Sequence, residues 1–169
     1  MSKVIIITGP SGAGKSTTTK YLAEKSVGEW AIINQDDIRA LVKAGYRPAD
    51  IEWTDATKRQ WNVSILIATD MIKRYFDAGI NCVVDLFAPP SEFEKWKEYI
   101  GDVDYQLIVL LPDVETTVKR NANRENIMKE DKIRENHGWF MQWKPSEATI
   151  IDTSKQTLTT SIKQIKNLT

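Results

Sequence analysis

The chain has 169 residues, 41% of them hydrophobic and 27% charged, and its 23 lysines and arginines are balanced by 23 aspartates and glutamates. That length suits one compact domain with a sizeable core and excludes two full ones, while zero net charge excludes an overall basic field of the kind that draws polyanions. One cysteine, Cys82, cannot form an internal bridge, no Cys/His spacing suggests zinc, and no apolar run approaches a membrane span, so a reducing cytoplasm is the expected compartment and no membrane partner is expected.

The first predicted strand, Val4 to Thr8, runs directly into Gly9-Pro10-Ser11-Gly12-Ala13-Gly14-Lys15-Ser16-Thr17, and a helix is expected from about Lys15. Strand, Gly-x-x-x-x-Gly-Lys-Ser/Thr and helix in that order make a phosphate-binding loop for a nucleoside triphosphate. Glycines let the backbone wrap close to phosphate oxygens so that successive N–H groups converge on the anion, and the helix start adds its positive dipole end. Lys15 is expected on the β/γ-phosphates and the Ser16 hydroxyl on Mg²⁺. Thr17 completes the motif, with capping or packing as its alternative role.

A second strand, Ala31 to Asn34, leads into Gln35-Asp36-Asp37-Ile38-Arg39. Strand ends of a parallel sheet are where ligands bind, and a kinase needs one carboxylate there to accept or orient the proton of the attacking hydroxyl. Asp36 is assigned that role, whereas Asp37 is expected to cap a helix from Ile38 to Ala44. Arg39 is a candidate clamp for an anionic acceptor, with a solvated helix charge as the alternative. The longest helix is predicted from about Thr54 to Ala78, with Trp61, Ile65, Ala68 and Ile72 on one face and Gly79 ending it.

The third strand, Cys82 to Phe87, carries Asp85 as a carboxylate aimed at the metal or the acceptor, and Cys82 as an inert core residue. Ser91 and Glu94 have capping-box spacing. A fourth strand, Tyr105 to Leu111, precedes a helix opened by Pro112-Asp113 and running to about Arg124. Arg120 and Arg124 share one face of that helix, where both reach one cavity and can stack on a base or neutralise the transferred phosphoryl group. Glu125 to Arg134 shows no clear periodicity and, beside a surplus of cations, suits a short lid at about 125–137.

His137, the only histidine, is given no role. Trp61 and Trp96 read as core, and Trp30, Trp53, Trp139 and Trp143 as candidates for an acceptor pocket. A fifth strand, Ala148 to Ile151, precedes Asp152-Thr153-Ser154. Strands alternating with helices along the whole chain predict an α/β fold: a five-stranded parallel sheet covered by helices on both faces.

No Asn-Lys-x-Asp guanine reader is present, and the chain is short for a motor ATPase. Gly9 to Thr17, Ile33 to Arg39, Asp85 and Val118 to Arg124 resemble the small P-loop kinases built like nucleoside-monophosphate kinases, especially the phage-type polynucleotide 5′-hydroxyl kinase domain. Residues 77–113 and Asp152-Thr153-Ser154 are equally similar to chloramphenicol phosphotransferase. The resemblance implies a three-layer P-loop NTPase fold and an ATP- and Mg²⁺-dependent kinase. It also implies Asp36 as general base, Arg39 on the acceptor phosphate, Arg124 activating the phosphoryl group, and Asp152 and Thr153 beside the adenine. The acceptor stands between a hydroxyl of a nucleic acid or nucleotide and a small-molecule alcohol. An NTP-binding switch without phosphoryl transfer is the reading from another class.

Overall fold

Ile6 and Ile7 adjoin in sequence yet bury themselves in opposite halves of the protein, because successive side chains of a strand point to opposite faces of a sheet. In the computed structural model, which describes residues 2–49, 52–122, 128–144 and 146–168, that alternation organises the whole core. Five strands, β1 (Val4–Thr8), β2 (Trp30–Asn34), β3 (Asn81–Asp85), β4 (Gln106–Leu110) and β5 (Thr149–Ile151), form one sheet in the order β2-β3-β1-β4-β5. Every pairing is parallel.

Val4, Ile6, Cys82, Val84, Leu107 and Val109 meet α3 (Asp55–Asp77), α4 (Pro90–Ile100) and α6 (Glu130–Phe140) on one face. Ile5, Ile7, Val83, Ile108 and Leu110 meet α1 (Lys15–Glu24) and α7 (Leu158–Leu168) on the other. The fold is therefore the three-layer α/β arrangement expected, and strands buried on both faces explain their near-continuous apolar runs. Cys82 is fully buried, and burial pushes its thiol up to about 11, which leaves it protonated and inert near neutral pH.

Several boundaries differ from expectation for identifiable reasons. α2 (Gln35–Arg39) begins earlier than predicted and stops at Arg39, not at Ala44. Its cap is Asn34, whose side-chain oxygen accepts from the amides of Asp36 (2.8 Å) and Asp37 (3.3 Å), so Asp37 is not the cap. Ser91 does not cap α4 either. Pro90, with its ring already set to a helical angle, starts the helix one residue ahead of it after Pro89 at the cap position. α5 (Val114–Asn121) follows Pro112-Asp113 as expected, but Asp113 stands just before it as the cap, accepting from the Thr116 amide at 2.6 Å, and the helix ends at Asn121. Arg124 and the rest of 123–127 lie outside the described residues.

The stretch read as aperiodic is helical from Glu130 onward. Its buried stripe is Ile133, Asn136, His137 and Phe140, and two polar members concealed the repeat. The His137 ring nitrogen Nε2 lies 2.8 Å from the Pro112 carbonyl oxygen, which ties α6 to the loop after β4. The predicted lid at about 125–137 thus divides: 125–127 fall outside the described residues, and Glu130 to His137 belong to a helix rooted in the core. Among the described residues no helix is long and apolar enough to cross a membrane.

Phe140 is fully buried and packs edge-on against Phe87 with ring centroids 5.0 Å apart. Truncation by Phe140→Ala should destabilise the protein by about 3–5 kcal/mol through lost contacts and an uncollapsed cavity, measured as a lower urea midpoint with an unchanged m-value.

Candidate functional site

The loop after β1 takes its shape from close approach. A Cβ on Gly9 would stand 2.3 Å from the carbonyl oxygen of Leu110, and one on Gly12, at φ 87°, would stand 2.9 Å from that of Thr117. Any side chain at either position would push the loop off β4 and α5. The loop delivers the chain to Gly14, whose left-handed backbone starts α1 at Lys15, so the first-turn amides, which have no carbonyl one turn earlier to bond, face the loop's hollow. The Lys15 ammonium donates to the carbonyls of Gly9 (3.0 Å) and Pro10 (3.2 Å), which holds it over the same hollow.

Parallel register sets Asp85 at the end of β3 opposite Ile7 of β1 and Asn34 of β2. Its carboxylate accepts from the Ser16 hydroxyl (2.5 Å) and from the Asn34 amide (3.3 Å). Burial raises the Asp85 pKa, Lys15 and the Ser16 hydrogen bond oppose the rise, and Asp36 and Asp37 add to it. Among the described residues no three His, Cys, Asp or Glu side chains converge to hold a cation by themselves. Ser16 and Asp85 supply adjacent hard oxygens, the donor set from which Mg²⁺ is bound when phosphate oxygens complete its shell, so the residues present fit that ion.

Two hollows meet at Lys15 and Ser16, which line both. The smaller, about 360 Å³, runs along Gly12 to Thr18 toward Arg120, Thr153 and Leu158. Arg120 donates to the Thr153 hydroxyl (3.3 Å) and carbonyl (2.8 Å), and the Thr153 hydroxyl reaches the Ala13 carbonyl at 3.4 Å. Arg120, Thr153 and Thr17 therefore line the smaller hollow, along the loop. Asp152 does not line this hollow; its carboxylate accepts from the amide (2.8 Å) and the hydroxyl of Ser154, closing a turn.

The larger hollow, about 960 Å³, has Ser11, Lys15, Ser16 and Asp85 at one end and Asp36 at its side. The Asp36 side chain is 75% exposed, while its ion-pair partner Arg39, 3.2 Å away, is 4% exposed. Arg39 also donates to the Arg47 carbonyl (3.1 Å), and its guanidinium lies 4.9 Å from the Trp61 ring centre and 5.4 Å from that of Tyr46. It is no solvated helix charge: stacked on two rings, it fixes Asp36.

Of the tryptophan candidates, Trp53 and Trp139 line the larger hollow. Trp143 packs in the core against Phe93, and Trp30 against the core of the opposite face. Trp61 is buried as predicted yet also lines the hollow, donating its indole N–H to Glu92 at 2.8 Å.

Sequence reasoning missed Asn34, which bonds Asp85 and caps the turn carrying Asp36, although a polar residue ending an apolar strand was the available signal. It also missed the reciprocal bonds of Thr8 with Ala88, at 3.1 and 3.0 Å, which hold the loop bearing Phe87 against β1. Those join residues 80 apart and leave no local trace.

A family model described as an AAA domain matches residues 4–144. No curated protein matches the chain. Among solved structures, a sugar kinase from Janibacter sp. HTCC2649 is 19% identical with a TM-score of 0.72, covering 99% of this chain and 94% of its own. The tunicamycin resistance protein of Deinococcus radiodurans is 16% identical with a TM-score of 0.71, covering 99% and 95%. Shikimate kinase from Acinetobacter baumannii, in complex with shikimate, is 15% identical with a TM-score of 0.65, covering 99% and 93%. These likenesses establish the fold.

Gly9→Ala should weaken nucleotide binding by about 100-fold or more, since the new methyl group meets main chain that cannot yield, measured by calorimetric titration with ATP. Asp85 titrates with a raised value in the fold, so it favours the folded state below the ordinary aspartate range, and that contribution is lost as pH rises through the raised value. Thermal unfolding of the ligand-free protein should show this fall, and Asp85→Asn, which keeps an oxygen for Ser16, should flatten it.

Proposed function

The chain belongs to the AAA domain family, and from that premise we propose that it is an ATP- and Mg²⁺-dependent phosphotransferase acting on the hydroxyl group of an alcohol small enough to enter the 960 Å³ hollow. One observation carries this reading: the phosphate loop and the exposed carboxylate of Asp36 line the same cavity. A nucleotide switch without transfer has no use for a second cavity of that size against its loop.

When bound, Mg²⁺ neutralises charge on the β- and γ-phosphates, with Ser16 and Asp85 as the residues that would hold it. Lys15 exchanges the Gly9 and Pro10 carbonyls for phosphate oxygens, and the first-turn amides of α1 bind the anion. Asp36 accepts a hydrogen bond from the acceptor hydroxyl and takes its proton. As that proton leaves, the oxygen bonds to the γ-phosphorus and the bond to the β-phosphate oxygen breaks, releasing ADP. Arg39 holds the carboxylate in place through its ion pair at 3.2 Å. Arg120 closes the nucleotide end against Thr153, and Arg124, by the resemblance of Val118 to Arg124 to the small P-loop kinases, activates the phosphoryl group.

Relatives in fold include proteins named as kinases of a sugar and of shikimate, which supports a small acceptor. The hydroxyl of a nucleotide or nucleic acid is the second reading, favoured by the aromatic rings that line the cavity, since any base has a face to stack on them.

Asp36→Asn should lower kcat by about 10²- to 10⁴-fold with ATP affinity unchanged, measured by ADP release in the presence of acceptor alongside ATP titration. Undiminished turnover would remove Asp36 as the base.

A further inference from the structure

The acceptor's chemical class follows from how the cavity is walled, an inference that rests on the phosphotransferase reading and narrows it. Four rings stand in series along the wall. Trp53 meets Trp61 at 5.4 Å and 67°, Trp61 meets Phe87 at 6.4 Å and 83°, and Phe87 meets Trp139 at 6.4 Å and 76°. Edge-on packing of this kind fixes each ring through its neighbours. Trp53, at one end of the series, is nevertheless 47% exposed. An indole held rigid, half in water and against a cavity, is ready to gain from a ligand that covers it.

The charges around the cavity point the same way. Lys15 and Asp85 belong to the nucleotide end. Of the remaining described lining residues, Asp36, Arg39, Glu92 and Lys132 are charged, and each has an opposite charge within the protein. Arg39 lies 3.2 Å from Asp36, Lys95 lies 3.1 Å from Glu92, and Lys132 lies 2.8 Å from Glu135. Arg39 and Lys132 are further committed to ring faces, with the Lys132 ammonium 5.0 Å from the Trp139 ring centre. A charged acceptor would have to give up its hydration and also separate one of these pairs, leaving a partner without its counter-charge. An uncharged one disturbs none of them.

We propose that the acceptor is an uncharged alcohol with a flat aromatic body, that this body lies against the row of rings running from Trp53 to Trp139, and that its hydroxyl reaches Asp36. A polyol without an apolar face gains nothing from the rings, and a polyanion meets no unpaired cation on the described wall.

Matched probes test this with the full chain in the presence of ATP and Mg²⁺: 3-phenyl-1-propanol, its cyclohexyl analogue, phenyllactate, phenylalaninol, glucose and a 5′-hydroxyl oligonucleotide. Binding is read by ligand-observed NMR titration and transfer separately by ADP release. 3-Phenyl-1-propanol should bind about tenfold or more tightly than the cyclohexyl, anionic and cationic analogues and glucose. Trp53→Leu and Trp139→Leu should each weaken it by about tenfold while ATP affinity, the check on folding, is unchanged. Equal or tighter binding of phenyllactate, phenylalaninol, the cyclohexyl analogue or the oligonucleotide overturns the proposal, as does binding by none of the six. If the aromatic preference holds and no probe is phosphorylated, the cavity's chemistry stands and the phosphotransferase reading falls.

Discussion

The site depends on a carboxylate placed where water cannot solvate it. Asp85 ends β3 among buried neighbours, and a bare charge there is costly unless other groups compensate it. Ser16 and Asn34 do so from two directions, one from the start of α1 and the other from the end of β2. Through those two bonds one side chain sets the phosphate loop and the turn carrying Asp36 in a common frame. The cost of burying Asp85 is thereby the means by which three strand ends are held in register, and a divalent ion beside Ser16 would answer it most fully.

Around that frame the protein divides its labour by layer. The face covered by α1 and α7 is repetitive, with isoleucines of β1, β4, β5 and α7 packed together beside Ala13 of the loop. The opposite face carries the large rings, and α3, α4 and α6 each lend one side to the core and another to the cavity. α6 shows the economy of this: Ile133, His137 and Phe140 root it, and Lys132, Asn136 and Trp139 turn toward the cavity. A wall built on helices keeps its rings in place better than a loop would, and relatives of the same fold can present other residues on the same backbone.

Much of this was legible in the sequence because it is written in local pattern. Apolar runs ending in Thr8, Asn34 and Asp85 announced the parallel strands, and Gly9 to Thr17 announced the loop between β1 and α1. The unread parts are those in which a residue's role depends on a distant partner. Asp37 looked like a cap until Asn34 took the position. Ser91 had the right spacing but stood behind a proline. The repeat in α6 was masked by a histidine and an asparagine whose burial is satisfied or forced by contacts outside the helix. Arg39 reads as a clamp on the acceptor or else a solvated helix charge, and nothing nearby in sequence reveals that Trp61, 22 positions on, comes to lie against it. Asp152 is placed beside the adenine by resemblance alone, and in the fold its Oδ1 accepts from the amide and hydroxyl of Ser154.

The paired bonds between Thr8 and Ala88 join main chain on one side of the cavity to the residue immediately before Gly9 on the other. Phe87 and the phosphate loop are consequently two ends of a single stiff member. The end of β1 and the main chain beside Phe87 are thereby held at a fixed spacing, whatever side chains stand around them. Alignment in this part of the cavity is thus entrusted to backbone geometry, and evolutionary change in the surrounding rings can alter what is gripped without moving the loop.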